Sequence, residues 1–405
     1  MRNSWAARTN RGAAVWGGKV YVGTGDCRLV AIDALSGKQS WESPVCDATQ
    51  TGITGAPHVG KGKVFIGYNG SDTGVRGSVV AFDAETGKEA WRFWTVPGDP
   101  AKGFESPALE MAVKTWTGDR WWRIGGGDAW DAITYDPVTN LVMFGTAGAN
   151  PSAYHGDSAD VVVGGDRLFS GCVVAVNAET GEYAWHYQTS TRTENNHVMV
   201  ADLMIKGKRQ RVAMTVPKSG IFYVLDAKTG RLISSKRLDG NEADAAAGPG
   251  RRPGPGHNWW PMAYNIATGL VYVPASDVRT GELAPGQNRS QGRLVAWDPV
   301  RQSARWSVEQ PLETNGGVLS TAGNLVFHGE GTGEFAAYAA DTGHKVWSSQ
   351  SPRRTRSRSR TSVTISTGAL ASKTTLRACQ SRFFTWSARI TPAILPPGGN
   401  WTSNG

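Results

Sequence analysis

The hydrophobic and polar positions of the chain repeat one pattern: an alternating apolar run, a polar turn, and a second run that carries Trp. The clearest copies are residues 31–41 (AIDALSGKQSW), 81–91 (AFDAETGKEAW) and 175–185 (AVNAETGEYAW). Alternation predicts half-buried strands, Asp and Thr side chains bond the turn backbone, and Gly supplies a positive φ. Each copy therefore predicts a β-hairpin.

Weaker copies follow at residues 224–234, 296–306 and 337–347, and remnants stand at 135–137 and 264–265. The eight markers lie 33 to 53 residues apart, at Asp33, Asp83, Asp136, Asn177, Asp226, Asn265, Asp298 and Ala339. Such a period leaves room for a four-stranded sheet and is typical of propellers. A large flat Trp whose N–H reaches a carbonyl suits a wedge between sheets. We therefore predict an all-β chain, a β-propeller with Trp-docking repeats.

Charge is distributed unevenly along the 405 residues, whose net charge is +9. From Arg353 onward there are eight Arg, one Lys and no acidic residue, which leaves 34 basic and 34 acidic residues before it. The basic excess belongs to the tail, so a nucleic-acid partner is not expected. We predict an incomplete propeller over 1–352 and a tail over 353–405 outside that fold. The tail reads either as a change of reading frame or as a disordered basic extension.

Four cysteines show no CxxC or CxxCH spacing, so no covalent haem is expected. The first sixteen residues lack the apolar core of a signal peptide. No apolar run of about 18 residues occurs, so we predict no membrane span.

Five stretches are specific enough to indicate a family: TGAPHVGKGKVFIGYNG from Thr54, ALEMAVKTWTGDRWWRIGGGDAWDAITYDP, VPKSGIFYVLDAKTG, GHNWWPMAYN and NGGVLSTAGNLVFHG. They resemble the pyrroloquinoline-quinone-dependent alcohol dehydrogenases, the methanol and ethanol dehydrogenase family of quinoproteins. The resemblance runs from about Thr9 to about Trp347. It implies an eight-bladed propeller with the quinone on its axis, here incomplete and truncated at both ends.

The quinone is flat, bears three carboxylates and has an electrophilic carbonyl, so its site needs cations, a stacking surface and hydrogen-bond donors. The resemblance assigns carboxylate binding to Arg11, a hydroxyl contact to Thr54, ring stacking to Trp130 and hydrogen bonds to the quinone oxygens to Lys218. It also places small donor residues and an edge pair against the cofactor, namely Asn69, Gly70, Ser71, Asn258 and Trp259.

A cation is the other expected component, because a hard Lewis acid polarises the quinone carbonyl. Asp72 stands where the family has its calcium-binding glutamate, and Asn150 is the candidate second ligand, although an Asn before Pro is also a common turn former. Calcium or another hard divalent or trivalent cation is expected. Asp128 replaces the small or hydroxyl residue beside Trp130, which is unfavourable near an anionic cofactor unless the metal takes the carboxylate.

Two departures from the family pattern affect activity. Trp5-Ala6 stands where the family has two adjacent cysteines, and no Trp-Asp pair follows the third repeat, residues 175–185, where the family has its catalytic base. Glu194 is a weak candidate for that base, and a surface loop Glu is its competing interpretation. We predict a periplasmic oxidoreductase that converts a primary alcohol to an aldehyde and passes electrons to cytochrome c, with impaired activity. The alternative is an inactive β-propeller scaffold or a degraded fragment of such an enzyme.

Overall fold

A computed structural model gives the structure of the chain. It describes residues 9–118, 121–123, 125–131, 133–148, 163–190, 197–240, 256–278, 290–313, 316–350, 362–365 and 374–377. The described residues are almost entirely β-structure. Their longest helix, α1, covers the seven residues Pro107–Val113, and none of the described helices is long and apolar enough to cross a membrane.

The described residues form six four-stranded antiparallel sheets, each made of strands in chain order except for one short insertion. Sheet 1 contains β1 to β4, at Ala14–Trp16, Lys19–Gly23, Arg28–Asp33 and Gln39–Pro44. Sheet 2 contains β5 to β8, at His58–Gly60, Lys63–Gly67, Ser78–Asp83 and Glu89–Trp94. Sheet 3 contains β10, β11, β13 and β14, at Ile133–Asp136, Leu141–Gly145, Cys172–Asn177 and Tyr183–Gln188. A separate pair, β9 (Thr117–Gly118) and β12 (Val163–Gly164), lies outside the six sheets.

The second half of the chain continues the same pattern. Sheet 4 contains β15 to β18, at Val198–Ile205, Lys208–Thr215, Ile221–Asp226 and Leu232–Arg237. Sheet 5 contains β19 to β22, at Ala263–Asn265, Leu270–Val278, Ser290–Asp298 and Ser303–Gln310. Sheet 6 contains β23 to β26, at Val318–Ser320, Leu325–Gly329, Glu334–Ala339 and Lys345–Gln350. In the tail, β27 (Ser362–Ile365) pairs with β28 (Thr374–Arg377) alone.

The repeat folds as the sequence predicts, into a hairpin between the third and fourth strands of a sheet. In sheet 2 the Asp83 carboxylate accepts hydrogen bonds from the N–H groups of Glu85 and Thr86 and from the Thr86 hydroxyl. Gly87 follows with a φ of 73°, a conformation that Gly adopts without steric cost. All the residues that stabilise this turn therefore lie within one copy of the repeat.

The eight markers fall on six sheets, so the prediction of one sheet per marker is wrong. Asp136 and Asn265 lie at the turn between the first and second strands of sheets 3 and 5, whose third strands carry Asn177 and Asp298. Asp136 and Asn265 also accept hydrogen bonds from turn backbone, which is why their sequences imitate the repeat.

Trp residues dock sheet 1 onto 2, 2 onto 3, 3 onto 4 and 5 onto 6, which confirms the predicted wedge at these four contacts. Each indole N–H donates to the carbonyl of the Ala that follows the marker of the next sheet, at 3.0–3.2 Å. Each ring also covers the turn Gly of that sheet, where an added Cβ would come within 2.5–2.6 Å of the ring. The pairs are Trp41 with Gly87, Trp91 with Gly181, Trp185 with Gly230, and Trp306 with Gly343.

The contact between sheets 4 and 5 uses a different pair. Ser234 occupies the Trp position, and Gln302 occupies the Gly position with a φ of 53°. The buried Gln302 amide donates to the Ser234 hydroxyl at 3.0 Å. The longer side chain on sheet 5 fills the space that a Trp on sheet 4 would take.

Successive sheets share apolar cores, and their first strands lie next to one another around a common centre. Trp347 of sheet 6 is 45% exposed, and Gly37 of sheet 1 has no atom close enough to contact a Cβ. These two residues are the unmatched halves of the docking motif among the described sheets. Because the first strands of the sheets lie next to one another, the loops that lead into these strands converge at the centre.

Candidate functional site

At the centre of the structure, the positively charged side chain of Arg11 packs against two indole rings. The Arg11 guanidinium carbon lies 4.8 Å from the ring centroid of Trp130 and 4.6 Å from that of Trp259. Arg11 precedes β1, Trp130 precedes β10 and Trp259 precedes β19, so sheets 1, 3 and 5 each contribute one member. A guanidinium stacks well on aromatic faces because it is planar and weakly hydrated.

The surroundings of Arg11 leave it with binding capacity. Its backbone N–H donates to the Thr54 carbonyl at 3.0 Å, and its side chain reaches the same oxygen at 3.4 Å. Burial lowers the pKa of Arg11, and the charge of Asp131 partly offsets this effect. The buried Nε of Arg11 has no hydrogen-bond acceptor among the described residues. An anionic group at this place would satisfy that donor and stabilise the charge.

Sheet 2 contributes two adjacent loops to the same centre. The buried Thr54 hydroxyl donates to the Asn69 side-chain oxygen at 2.9 Å, and Thr51 donates to the Asn69 carbonyl. Gly55 lies so close to the carbonyl of Trp130 that an added Cβ would come within 2.4 Å of its oxygen. A Gly is therefore required where the loop meets the Trp130 segment.

Gly70 and Ser71 contact a carboxylate rather than open space. The Gly70 N–H donates to Oδ2 of Asp128 at 3.0 Å, and the Ser71 hydroxyl donates to Oδ1. Asp128 is only 4% exposed. The donors that the family resemblance assigns to the quinone are thus hydrogen-bonded to the protein in this structure.

Lys218 and the Asn258-Trp259 pair are joined through backbone packing. Buried His257 has its two ring nitrogens 2.9 Å and 2.7 Å from the carbonyl oxygens of Val216 and Trp260. Gly256 lies against the Lys218 carbonyl, within 2.6 Å of where its Cβ would be. The Asn258 side chain accepts from the Trp259 N–H at 3.0 Å and so orients its own turn. Burial lowers the pKa of His257 to about 4.

The predicted cation ligands and base cannot be placed. Asn150 and Glu194 lie outside the described residues, and the Asp72 side chain is not described, although its backbone belongs to a short 3-10 turn, Ser71–Thr73. Within the described ranges, no group of three His, Cys, Asp or Glu side chains could hold a metal ion. These three assignments remain predictions.

Some features of the site were not predicted from the sequence. Asp131 lies near enough to Arg11 for its charge to raise the pKa of Arg11. His257 links the predicted segment before Lys218 to the one that contains Trp259. Their only sequence signal is position, directly beside Trp130 and Asn258 respectively. A disulfide between Cys27 and Cys46 fastens the β2–β3 turn to the segment after β4, and their separation of 19 residues matches no motif.

Comparison with known proteins gives two family matches. Residues 42–237 match the family described as glucose/ethanol/alcohol dehydrogenase, beta-propeller domain. Residues 258–382 match the family described as outer membrane protein assembly factor BamB. Together they cover most of the six sheets.

Individual relatives are similar over most of the chain. The quinohemoprotein alcohol dehydrogenase ADH IIB of Pseudomonas putida is 42% identical over 401 residues, covering 85% of this chain and 57% of the relative. The lupanine 17-hydroxylase (cytochrome c) of Pseudomonas sp is 44% identical, covering 85% and 56%. The crystal structure of the Comamonas testosteroni quinohemoprotein alcohol dehydrogenase superposes with a TM-score of 0.73 at 38% identity, covering 84% and 59%. The chain thus spans a little over half the length of these relatives.

Proposed function

The chain belongs to the family of pyrroloquinoline-quinone-dependent alcohol dehydrogenases, and on that premise we propose that its central site binds the quinone. The observation that carries this proposal is the Arg11 guanidinium against the Trp130 and Trp259 rings, with a buried Nε that lacks an acceptor in the described part of the chain. A flat polyanion fits such a site, because it offers carboxylates to the cation and a ring face to an indole.

In this proposal, different residues around the centre bind different parts of the quinone. Arg11 and Lys218 supply positive charge for the carboxylates, and Trp130 and Trp259 supply apolar faces. Thr54, Asn69, Gly70, Ser71 and Asn258 supply polar groups at the edge. When bound, the quinone supplies the hydride acceptor for oxidation of a primary alcohol to an aldehyde.

A cation and a base complete the proposal. Asp72 and Asn150 would supply hard oxygen ligands suited to calcium or a similar divalent or trivalent ion. A carboxylate that removes the alcohol proton is also required, and Glu194 is the weak candidate for it.

Electron transfer to cytochrome c and a periplasmic location are proposed from the resemblance and from the relatives. Two of the relatives carry quinohemoprotein or cytochrome c in their names. Because the chain spans 56–57% of those relatives, the activity of a whole enzyme is a proposal for this chain.

A catalytically inactive quinone-binding scaffold is the second candidate. It is favoured by the two departures in the sequence, Trp5-Ala6 in place of adjacent cysteines and the lack of a Trp-Asp pair directly after the third repeat, residues 175–185. On this alternative the quinone binds without turnover.

One experiment separates the two functions. Purified protein is titrated with pyrroloquinoline quinone by calorimetry, with and without calcium, and reduction of a dye by ethanol is then followed. Saturable binding with dye reduction supports the dehydrogenase, and saturable binding without dye reduction supports the scaffold. No binding contradicts both. Trp130→Ala should weaken binding, whereas Trp16→Ala, a change at an exposed ring on the edge of sheet 1, should leave it unchanged.

A further inference from the structure

Asp128 places a carboxyl group inside the candidate site. It lies two residues before Trp130, is 4% exposed, and accepts hydrogen bonds from the Gly70 N–H and the Ser71 hydroxyl. Each carboxylate oxygen thus has a donor on the neighbouring loop. The carboxylate joins the Trp130 segment to the Gly70–Ser71 loop.

The backbone around Asp128 is fixed on several sides. Its carbonyl accepts from the Ala147 N–H at 3.0 Å, and the Gly127 carbonyl accepts from the Thr95 hydroxyl at 2.6 Å. Gly67 lies against the Ala129 carbonyl with no room for a Cβ. Residues 127–129 therefore cannot move the Asp128 carboxylate out of the site without breaking these contacts.

We infer that Asp128 limits the affinity of this site for an anionic quinone, because its carboxylate holds the Gly70 and Ser71 donors and repels the ligand's carboxylates. The inference rests on the proposed function, since it concerns the same ligand. Like charges in a buried site interact strongly because little water screens them.

The test is the substitution Asp128→Asn, which removes the charge and keeps the shape. The amide oxygen can accept from the Gly70 N–H, and the amide N–H can donate to the Ser71 hydroxyl, which accepts as well as donates. Calorimetric titration with pyrroloquinoline quinone, without added cation, should show a dissociation constant about tenfold lower than that of the unaltered protein. Asp128→Ser, a second variant that also removes the charge, should likewise bind more tightly.

The matched control is Asp83→Asn, at the far end of β7 from the Gly70–Ser71 loop. Sheet 3 has Asn177 at the corresponding turn position, so the fold accepts this change. Quinone affinity should not change. Circular dichroism verifies that each variant is folded before titration.

Three results would overturn the inference. Equal affinity of the Asp128→Asn and unaltered proteins would remove Asp128 as a determinant while leaving the proposed function intact. Weaker binding by Asp128→Asn only when calcium is present would identify Asp128 as a cation ligand instead. Absence of quinone binding by every variant and by the unaltered protein would overturn both this inference and the proposed function.

Discussion

In the proposed quinone site, Arg11 is expected to act through its shape as well as its charge. Its planar guanidinium fits between two indole rings, and an ammonium group keeps the charge without the flat surface. Arg11→Lys should therefore weaken quinone binding by about tenfold, measured by calorimetry. Arg209→Lys, an exposed substitution on β16, is the control and should have no effect. Equal binding by Arg11→Lys would show that charge alone matters.

A second residue-scale prediction concerns stability. The Asp136 side chain is fully buried and is paired with Arg211 at 2.6 Å, which joins sheets 3 and 4. Burial alone would raise the pKa of Asp136, but hydrogen bonds from Arg211 and Thr139 and the Arg211 charge outweigh it, so the pKa is lowered. Asp136→Asn should lower the free energy of unfolding in urea at pH 7 by about 3 kcal/mol, because Arg211 loses its buried ionic partner and keeps only the more distant Asp202, at 3.6 Å.

The pH dependence follows from the lowered pKa. The pKa of the carboxyl in the unfolded chain is about 3.9, so the pair stabilises the fold above that pH. The contribution is lost as the pH falls through the folded value. The unaltered protein should lose more stability than Asp136→Asn between pH 6 and pH 3. Parallel curves would contradict the assignment. Arg209→Ala, which breaks an exposed pair, should cost less than about 1 kcal/mol.

At the scale of elements, sheet docking can be tested with two glycines of sheet 4. Gly230 and Gly207 have φ values of 72° and 74°, so Ala costs about 1–2 kcal/mol at either position from the backbone alone. An added Cβ at Gly207 meets nothing, whereas at Gly230 it meets Trp185. Gly230→Ala should destabilise the protein by a further 1–3 kcal/mol in urea unfolding, a rough range for overpacking. Equal losses would show that the Trp contact is not tight.

The exceptional contact between sheets 4 and 5 gives a second element-scale prediction. Ser234→Trp should destabilise the protein because the buried Gln302 fills the space of the ring. Gln302→Gly added to Ser234→Trp should recover most of that loss by recreating the common docking pair. The coupling in a double-mutant cycle of unfolding free energies should be about 1–3 kcal/mol. If the effects of Ser234→Trp and Gln302→Gly on the free energy of unfolding simply add, the Ser234–Gln302 contact does not replace a Trp–Gly docking pair.

At the scale of the whole molecule, the sequence predicts what local chemistry determines. The Asp83 turn, the positive φ of Gly87 and the docking of Trp91 all follow from one repeat, because their partners lie within it or at the same position of the next. The number of sheets was overestimated, because Asp136 and Asn265 form similar turns elsewhere in their sheets.

The site was predicted less completely, for a physical reason. The family pattern indicated Arg11, Trp130 and Trp259, and the structure places them in contact. The hydrogen bonds from Gly70 and Ser71 to Asp128 join segments more than 50 residues apart, and no local pattern predicts them. The Cys27–Cys46 disulfide likewise depends on the three-dimensional proximity of two segments of sheet 1.

The most direct test of the central claim is hydrogen exchange measured by mass spectrometry with and without saturating pyrroloquinoline quinone. Backbone amides exchange more slowly where ligand binding suppresses local opening. The account predicts slower exchange in four separate segments, 51–56, 69–71, 128–131 and 256–260, and no change in the outer turns at 83–88 and 226–231. Protection confined to the outer turns, or no protection at all, would contradict a quinone site at the centre of these sheets.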